Sequence, residues 1–374
     1  MILPGEKLGL LGGGQLGRMF TVAARTMGYE VVVLDPDPDS PAGALANEHL
    51  CAAYDDMAAL DRLASSCSAV TIEFENVPAS SLEHITHAIP VRPGPDAIRI
   101  ARDRIFEKGT LRNLGLPTTD YLAIQSEDDL DSGSSLDIFP AMLKTATLGY
   151  DGKGQQIVDD PEGLGKAFTR LDKVPCVLEK KITLKCEISV ILARSECGHV
   201  ETYPVGENRH KDGVLDITIV PARVNDSLAQ EADKLARIIA EELNYVGVLA
   251  VEFFVDQDDR LLINEIAPRP HNSGHYTLDA CITDQFQQQV RTLCGFRPGD
   301  TSLAKAAVMM NILGDAWKKG APDWGIGLKN PGTFLHLYGK KEPRTGRKMG
   351  HFTSTGDSID ELVQQTEQLK TRLL

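Results

Sequence analysis

Two glutamates that could hold a divalent cation lie on neighbouring predicted strands. Apolar stretches at 248–255 and 260–266 are joined by an acidic turn, a pattern typical of a β-hairpin. With a two-residue loop at 258–259, residue 257 faces residue 260, and the residue numbers of every facing pair add up to 517. Glu252 and Glu265 also add up to 517, so they would face each other. Facing carboxylates on strands have Cβ atoms about 4.5–5.5 Å apart and repel each other. A hard cation such as Mg²⁺, which prefers carboxylate oxygens, would neutralise that repulsion.

The surroundings of the two glutamates favour a buried site. In the same register Phe254 faces Ile263, which predicts an apolar wall beside the carboxylates. Strict alternation sends Asn264 to the opposite face unless a bulge intervenes. The loop at 268–275, with sequence PRPHNSGH, follows at once and carries Arg269. An exposed hairpin with two solvated glutamates is the alternative that the residues leave open.

A second segment has the composition of a phosphate-binding loop. Three glycines and a lysine fall within 149–155, sequence GYDGKGQ, and Lys144 lies in the predicted strand 139–145 before it. Glycines let the backbone approach phosphate oxygens closely, and lysine supplies positive charge. The segment does not match the P-loop pattern GxxxxGK[ST]. A plain hairpin turn is the alternative.

The N-terminal region carries a glycine-rich turn. Glycines 12, 14 and 17 follow a predicted strand at 7–11 and begin a predicted helix, and Asp35 ends the next strand. This GxGxxG arrangement suits a dinucleotide, although backbone amides at a helix start hold many phosphates. Glu73 and Asn76 follow the predicted strand 69–74, at the edge where open α/β sheets bind ligands. Ordinary loop capping is the alternative for both.

A basic cluster follows the late predicted strands at 306–313 and 332–338. It contains Lys340, Arg347 and Lys348, within a chain whose net charge is −14. An anionic substrate would explain such a cluster, and a solvated basic face is the alternative. The negative net charge argues against nonspecific nucleic-acid binding.

Length and composition describe an ordinary soluble protein of two or three domains. The chain has 374 residues, of which 42% are hydrophobic and 25% charged. No apolar run is long enough for a membrane span, so no membrane partner is expected. Seven scattered cysteines without a CxxC pair suit reduced thiols in the cytoplasm.

Periodicity and punctuation predict how the chain is divided. A helix is predicted over 97–114, where Arg104 and Lys108 form a one-turn pair of a kind that is usually solvated. A second helix is predicted over 226–243. The predicted domains are 1–103, 104–297 with a lid at about 117–185, and 298–374.

Taken in order, these motifs resemble those of the ATP-grasp ligases, and among them the N5-carboxyaminoimidazole ribonucleotide synthetases. The matching segments are GGGQLGRM at 12–19, FENVP at 74–78, GYDGKGQ at 149–155, NEIAPRPHNSGHYT at 264–277, HLYGK at 336–340 and GRKMGH at 346–351. The resemblance runs nearly end to end. It implies an α/β (α+β) chain with the ATP-grasp fold, comprising a Rossmann-like N-terminal domain, a mobile lid and a C-terminal domain.

The resemblance also implies a reaction and a set of site residues. ATP with Mg²⁺, or Mn²⁺ as an alternative ion, would drive the carboxylation of 5-aminoimidazole ribonucleotide by bicarbonate through carboxyphosphate, in a cytoplasmic homodimer of the purine pathway. The implied ATP-binding residues are Arg104, Lys144, Gly149, Tyr150, Asp151, Gly152, Lys153, Gly154, Gln155, Glu179, Lys180, Lys181, Ile182, Glu187, His210, Asn264 and Glu265. The implied substrate-binding residues are Gln15, Leu16, Glu73, Asn76, Arg269, Lys340, Arg347 and Lys348. The implied catalytic residues are Asp151, Lys153, Arg269 and Lys340, and the metal ligands are Glu252 and Glu265.

Three other functions compete with this interpretation. A nicotinamide oxidoreductase would use the glycine-rich turn and Asp35 but would leave the paired glutamates without a role. A noncatalytic nucleotide sensor would bind ATP and release no phosphate. A related ligase acting on formate and a glycinamide ribonucleotide has a similar RPH loop but lacks the combination of GYDGKGQ and GRKMGH.

Overall fold

A computed structural model describes residues 1–134, 137–149 and 152–373 of the chain. Its helices are α1 (Gln15–Thr26), α2 (Met57–Ser66), α3 (Ala79–Thr86), α4 (Pro95–Arg102), α5 (Arg104–Asn113), α6 (Leu130–Ser134), α7 (Leu164–Arg170), α8 (Asp226–Glu242), α9 (Thr277–Ala280), α10 (Gln285–Leu293), α11 (Gly325–Leu328) and α12 (Ile359–Leu373). Its strands are β1 (Lys7–Leu11), β2 (Glu30–Leu34), β3 (Glu48–Leu50), β4 (Ala69–Ile72), β5 (Tyr121–Ile124), β6 (Ala141–Thr145), β7 (Gln155–Val158), β8 (Cys176–Lys180), β9 (Leu184–Arg194), β10 (Val200–Thr202), β11 (Gly206–Lys211), β12 (Val214–Val220), β13 (Gly247–Asp256), β14 (Leu261–Ala267), β15 (Ala306–Leu313), β16 (Thr333–Leu337) and β17 (Lys348–Gly356).

The N-terminal segment forms a parallel sheet in the order β3-β2-β1-β4. Strands such as EVVVL are apolar on both faces, as strands covered by helices on both sides must be. Phe20 of α1 packs on one face, and Leu60 and Leu63 of α2 pack on the other. The predicted Rossmann-like N-terminal domain is therefore confirmed. Within the described residues, no helix is long and apolar enough to cross a membrane.

The segment predicted as a lid has its own antiparallel sheet, ordered β5-β8-β6-β7. Leu143 and Leu178 of this sheet pack against Phe168 of α7 in a separate small core. A segment that moves as a unit needs a core of its own, and the lid at about 117–185 stays a prediction.

The large central sheet joins the ATP-grasp segment to the C-terminal segment. It has nine strands, eight of which follow the order β14-β13-β9-β11-β12-β15-β17-β16, while β10 pairs with β9. Strand β12 pairs with β15, so the sheet continues across the predicted boundary at 297–298. On one face, Val190 and Val251 pack against Leu235 of α8. On the opposite face, Ile191 and Ala250 belong to a second core with Tyr276, so that face is only partly open to carry the site.

The hairpin β13–β14 departs from the predicted turn. The amide of Asp256 donates to the carbonyl of Arg260, so the loop has three residues, and Asp259 adopts a left-handed φ of 59°. Phe253 rather than Phe254 consequently faces Ile263. The predicted two-residue loop and the predicted Phe254–Ile263 pair are wrong.

A bulge restores the register at the glutamates. The pairing shifts by one residue between Glu252 and Phe253, and the extra residue on the partner strand is Asn264. The longer turn and the bulge offset each other, so Glu252 faces Glu265 as predicted. The bulge also settles the direction of Asn264, which joins Glu265 instead of alternating away from it.

The predicted helix over 97–114 is two helices. Asp103 has extended backbone angles, and its carboxylate accepts hydrogen bonds from the amides of Ile105 and Phe106 at 2.8 and 3.4 Å. Asp103 therefore ends α4 and caps α5, because an N-cap residue must leave the helical conformation. Arg104 is the first residue of α5 as a result.

Candidate active site

Glu252 on β13 and Glu265 on β14, which face each other, form one side of the candidate site. Val251 and Phe253 point into the core beneath the sheet, so Glu252 between them points to the opposite face. The side chains of Glu252 and Glu265 are 12% and 34% exposed. Burial and the charge of Glu265 raise the pKa of Glu252. Two carboxylates held this close on a largely buried wall are the arrangement that a hard divalent cation stabilises.

Arg104 supplies positive charge at the same place. Its Nη1 donates to Oε2 of Glu265 at 2.7 Å, and its side chain is 13% exposed. Burial alone would raise the pKa of Glu265, but Arg104 and Lys144 with the nearby His271 together outweigh burial and lower it. Glu265 is thus kept ionised and able to act as a ligand.

Asn264 supplies a third oxygen. Its Oδ1 atom is buried and makes no hydrogen bond within the described part of the chain. A buried acceptor without a partner is costly, and a bound ion or nucleotide group would satisfy it. Glu252, Asn264 and Glu265 offer only oxygen ligands, so the residues present fit Mg²⁺.

A buried ionic cluster lies next to this wall. Oε2 of Glu179 lies 3.1 Å from Nζ of Lys144 and 3.5 Å from Nζ of Lys108. Although burial opposes ionisation, the lysines outweigh it and lower the pKa of Glu179 to about 2. Its Oε1 atom is buried and has no partner among the described residues, which leaves one acceptor for a bound molecule.

The glycine loop lies between β6 and β7, where Lys144 pairs with Gln155. Gly152 and Gly154 have φ values of 76° and 71°, which only glycine adopts readily. At Gly154 a Cβ atom would lie 2.6 Å from Oγ1 of Thr145, so a side chain does not fit there.

The other residues of this loop are placed only in part. Gly149 is partly exposed and Lys153 is exposed. The predicted phosphate contacts of Tyr150 and Asp151 lie outside the described residues.

The remaining predicted ATP-binding residues lie on β8, β9 and β11. Lys180 ends β8, and Lys181 and Ile182 follow it. Glu187 lies on β9, and its Oε2 atom is 2.9 Å from Nδ1 of His210 on β11. The structure therefore brings together two residues that are distant in sequence.

A second group of cations contacts residues of the N-terminal segment. Nε of Arg269 donates to Oε2 of Glu75 at 2.6 Å. Nζ of Lys340 donates to Oε1 of Gln15 at 2.7 Å and to the carbonyl of Lys348 at 2.8 Å. These contacts join the N-terminal segment to both later segments around one region.

The glycine-rich turn is occupied by carboxylates of the chain itself. Glu73 accepts hydrogen bonds from the amides of Gly14 and Leu16 at the start of α1. Asp35 accepts from the amide of Gly13 at 2.6 Å and from the hydroxyl of Tyr54 at 2.6 Å. The amides of Gly13, Gly14 and Leu16 therefore already have anionic partners, and the implied roles of Gln15 and Leu16 in substrate binding stay predictions. A nicotinamide oxidoreductase would need Asp35 to bind its cofactor. Asp35 already accepts these two hydrogen bonds and is only 7% exposed, which argues against that function.

Two predicted substrate residues are placed without a described contact to this group. Arg347 donates from Nη1 to the carbonyl of Glu342 at 2.9 Å, within its own loop. Asn76 is partly exposed beyond β4. Their roles stay predictions.

His271 was missed by the sequence reasoning. Its Nε2 atom lies 3.4 Å from Oε1 of Glu252, and burial together with Arg269 lowers its pKa to about 3. The imidazole is therefore neutral beside the glutamates. Its place in the PRPHNSGH segment two residues after Arg269 was the available signal.

A stack of two histidines, buried at His351 and partly exposed at His336, lies on strands β16 and β17. The rings of His336 and His351 are 4.6 Å apart and inclined by 14°, and Asp279 lies 2.9 Å from His336. Suitable ligand atoms of the three residues lie within 4.8 Å of one another. Stacked rings hold their lone pairs in parallel planes, however, so one ion could not lie in both planes. We therefore interpret the cluster as structural.

Family models match the chain in three consecutive blocks. The ribonucleotide synthetase preATP-grasp domain matches residues 5–102, and the ATP-grasp domain matches 109–286. The phosphoribosylaminoimidazole carboxylase C-terminal domain matches residues 307–365.

Named relatives agree with these models over nearly the whole chain. The N5-carboxyaminoimidazole ribonucleotide synthase of Bacillus subtilis is 41% identical over 98% of this chain and 95% of its own length. The solved structure of the Staphylococcus aureus enzyme with ADP is 36% identical, with a TM-score of 0.93 and 98% of both chains covered. The Aspergillus clavatus enzyme, solved with ADP and 5-aminoimidazole ribonucleotide, is 31% identical, with a TM-score of 0.90 and 98% of both chains covered. The chain belongs to the N5-carboxyaminoimidazole ribonucleotide synthases, the ATP-grasp ligases of purine biosynthesis to which its site geometry had pointed.

Proposed function

We propose that Glu252, Asn264 and Glu265 hold the Mg²⁺ of ATP while the chain carboxylates 5-aminoimidazole ribonucleotide with bicarbonate, the ATP-dependent reaction of its family. Mn²⁺ is the alternative ion. The observation that carries the proposal is the direct pairing of Glu252 with Glu265, beside a buried Asn264 oxygen that has no described partner. When bound, the cation would neutralise phosphate charge as the γ-phosphoryl group is transferred.

The residues around Glu252 and Glu265 suit the phosphates, the adenine and the ribose of ATP. Lys144, Arg104 and the amides of the glycine loop from Gly149 to Gln155 bind the phosphates. Glu179 and the segment 180–182 line the adenine, for which the unpaired Oε1 of Glu179 is an available acceptor. Glu187, oriented by His210, accepts from the ribose hydroxyls.

Bicarbonate and the developing carboxyphosphate lie next to Arg269. Its Nε donates to Glu75 and its Nη1 donates to the carbonyl of Pro270 at 3.2 Å, so Nη2 is the nitrogen that would meet an anion. Asp151 and Lys153 on the lid, together with Lys340, complete the catalytic group. Closing the lid would exclude water, to which carboxyphosphate is vulnerable.

The 5′-phosphate of the ribonucleotide meets the basic group formed by Lys340, Arg347, Lys348 and Arg269. Gln15 and Leu16 at the start of α1 border the same region, and Gln15 is bonded to Lys340. Glu73 and Asn76 lie at the adjacent edge of the N-terminal sheet. We expect a cytoplasmic homodimer, as the family resemblance implies.

The test is release of phosphate from ATP, with Mg²⁺, bicarbonate and aminoimidazole ribonucleotide each omitted in turn. The proposal expects full release only when all are present, and a carboxylated ribonucleotide as product. ATP binding without any release would favour a noncatalytic nucleotide sensor. Glu265→Gln should abolish most of the release, whereas Asp258→Asn, in the exposed turn of the same hairpin, should not change it.

A further inference from the structure

The strand that carries Asn264 and Glu265 lies at the edge of the central sheet. Strand β14 pairs with β13 on one side, and the next neighbour on its other side is an isolated bridge between Thr118 and Ile263. An edge strand turns part of its amides and carbonyls away from the sheet. A bulge adds a further residue whose backbone is left out of the ladder. Residues 263–266 lie on this edge strand and also contain the bulge.

Helix α5 satisfies these backbone groups with two buried side chains. Oε1 of Glu107 accepts a hydrogen bond from the amide of Ile266 at 2.6 Å. Nζ of Lys108 donates to the carbonyl of Asn264 at 2.9 Å and lies 3.4 Å from the carbonyl of Ile263. Glu107 and Lys108 are 1% and 0% exposed, so water cannot replace either of them.

Three residues of α5 share the face that makes these contacts. Residues 104, 107 and 108 lie on one helical face, because residues three and four apart are neighbours. That face meets the edge of β14, where Arg104 contacts the Glu265 side chain and its two neighbours contact the backbone on either side.

Lys108 also lies near Glu179, so a simpler role as its counter-ion must be weighed. The distance to Glu179 is 3.5 Å, whereas the distance to the Asn264 carbonyl is 2.9 Å. Lys144 lies closer to Glu179, at 3.1 Å. The shorter contact of Lys108 is therefore the one to the bulge.

We propose that Glu107 and Lys108 are positioning residues that fix the bulge of β14 and thereby aim Asn264 and Glu265 at the cation. The inference rests on the proposed role of Glu252, Asn264 and Glu265 as metal ligands. Neither residue touches the cation or the substrates. They act by holding the backbone in the one register that places both oxygens on the same face.

The test compares Glu107→Met, which removes the acceptor, with Glu107→Gln, which keeps it at nearly the same volume. Binding of Mn²⁺ in the presence of ADP is followed by electron paramagnetic resonance, and amide hydrogen exchange is followed across residues 261–267. Glu107→Met should weaken Mn²⁺ binding about tenfold or more and speed exchange in this segment by a similar factor, since losing one buried partner has an effect of that order. Glu107→Gln should restore both values to near those of the unchanged chain.

The matched control is Gln288→Met. Gln288 is fully buried on α10 and satisfies the amide and carbonyl of Gly299, both at 2.8 Å, away from the glutamate wall. It should lower thermal stability and leave Mn²⁺ binding and exchange at 261–267 unchanged. If Glu107→Met affected Mn²⁺ binding no more than this control, or left exchange at 261–267 unchanged, the proposal would be overturned.

Two further measurements test the proposal without relying on Glu107→Met. Should Glu107→Met fail to fold, Lys108→Met removes the other contact and is expected to act in the same direction. In the unchanged chain, the amide of Ile266 should exchange slowly despite lying on an edge strand, and rapid exchange there would overturn the proposal. Unchanged Mn²⁺ binding in Glu265→Gln would instead count against the metal site itself. The exchange measurements would still test whether Glu107 and Lys108 hold the backbone of the bulge.

Discussion

Arg104 and Glu265 lie 2.7 Å apart although 161 residues separate them in the chain. This pair connects the first residue of α5 to the strand that faces Glu252. It changes what removing the Glu265 charge should do. Relief of repulsion between the glutamates would stabilise the fold, but Arg104 would then be left buried without its partner, which costs more than the pair itself contributes.

Glu265→Gln should lower turnover by roughly 10²–10³-fold at saturating ATP and Mg²⁺, because a preorganised charge at the transferring phosphoryl group is lost. We expect the variant to fold but not to gain thermal stability. Steady-state phosphate release and thermal unfolding measure the two effects. Near-normal turnover would rule out a metal role for Glu265.

The lid should become protected when nucleotide binds. Lys153 is exposed and follows Gly152, whose φ of 76° permits a sharp change of direction. Limited proteolysis at Lys153 should slow when ADP and Mg²⁺ are added, because closure buries the loop. Cleavage at the exposed Lys319 serves as the internal control and should not change. Equal cleavage at Lys153 with and without nucleotide would show that the loop is a fixed turn.

Arg347→Ala should raise the KM for aminoimidazole ribonucleotide and leave the KM for ATP nearly unchanged. A group that binds the substrate phosphate alike in the ground and transition states acts mainly on KM. Arg344→Ala is the matched control, because Arg344 pairs with Glu342 on the exposed side of the same loop. Weaker ATP binding with an unchanged KM for the ribonucleotide would contradict this division of the two sites.

Lys340→Ala should lower kcat as well as raise the KM for the ribonucleotide. Its ammonium group bridges Gln15 and the carbonyl of Lys348, so its loss also disturbs the contact between the N-terminal and C-terminal segments. Initial rates at varied ribonucleotide and saturating ATP separate the two parameters. A change in KM alone would mean that Lys340 binds substrate without taking part in the reaction.

Acidification should destabilise the fold through His275 and His351. Both rings are fully buried, and burial together with the neighbouring imidazoles lowers the pKa of each well below 6.5. The unfolded chain therefore binds protons first, so the stabilisation is complete above about pH 6.5 and is lost as the pH falls, by up to about 1.4 kcal/mol per pH unit for each ring.

The charged and titratable groups around these rings are His271, His336, Tyr338 and Lys348, with Asp279 paired to His336. Urea unfolding between about pH 8 and pH 5 measures the free energy of unfolding directly. His199→Gln, on an exposed ring, should leave the slope unchanged. Glu107 and Glu252 have raised pKa values and act in the opposite direction over this range, so the decisive comparison is with His275→Gln and His351→Gln. A pH dependence that is the same in both variants as in the unchanged chain would contradict the prediction.

The sequence by itself determined the family to which the chain belongs, its fold class and the hairpin that carries Glu252 and Glu265. The predicted pairing of Glu252 with Glu265 holds only because the longer turn and the bulge offset each other. The period of two along each strand, the acidic turn of the hairpin and the glycines of 149–155 were visible in the sequence. These features depend on neighbours in the chain, so local rules predict them.

Only the tertiary structure decided how those residues are held. The backbone of the bulge that turns Asn264 toward Glu265 is hydrogen-bonded by Glu107 and Lys108, and amides of the glycine-rich turn are taken by Glu73. In each case a buried polar group must find a partner, and that partner comes from a segment tens to hundreds of residues away. No periodicity encodes such a meeting, because it depends on which surfaces the packed core brings together.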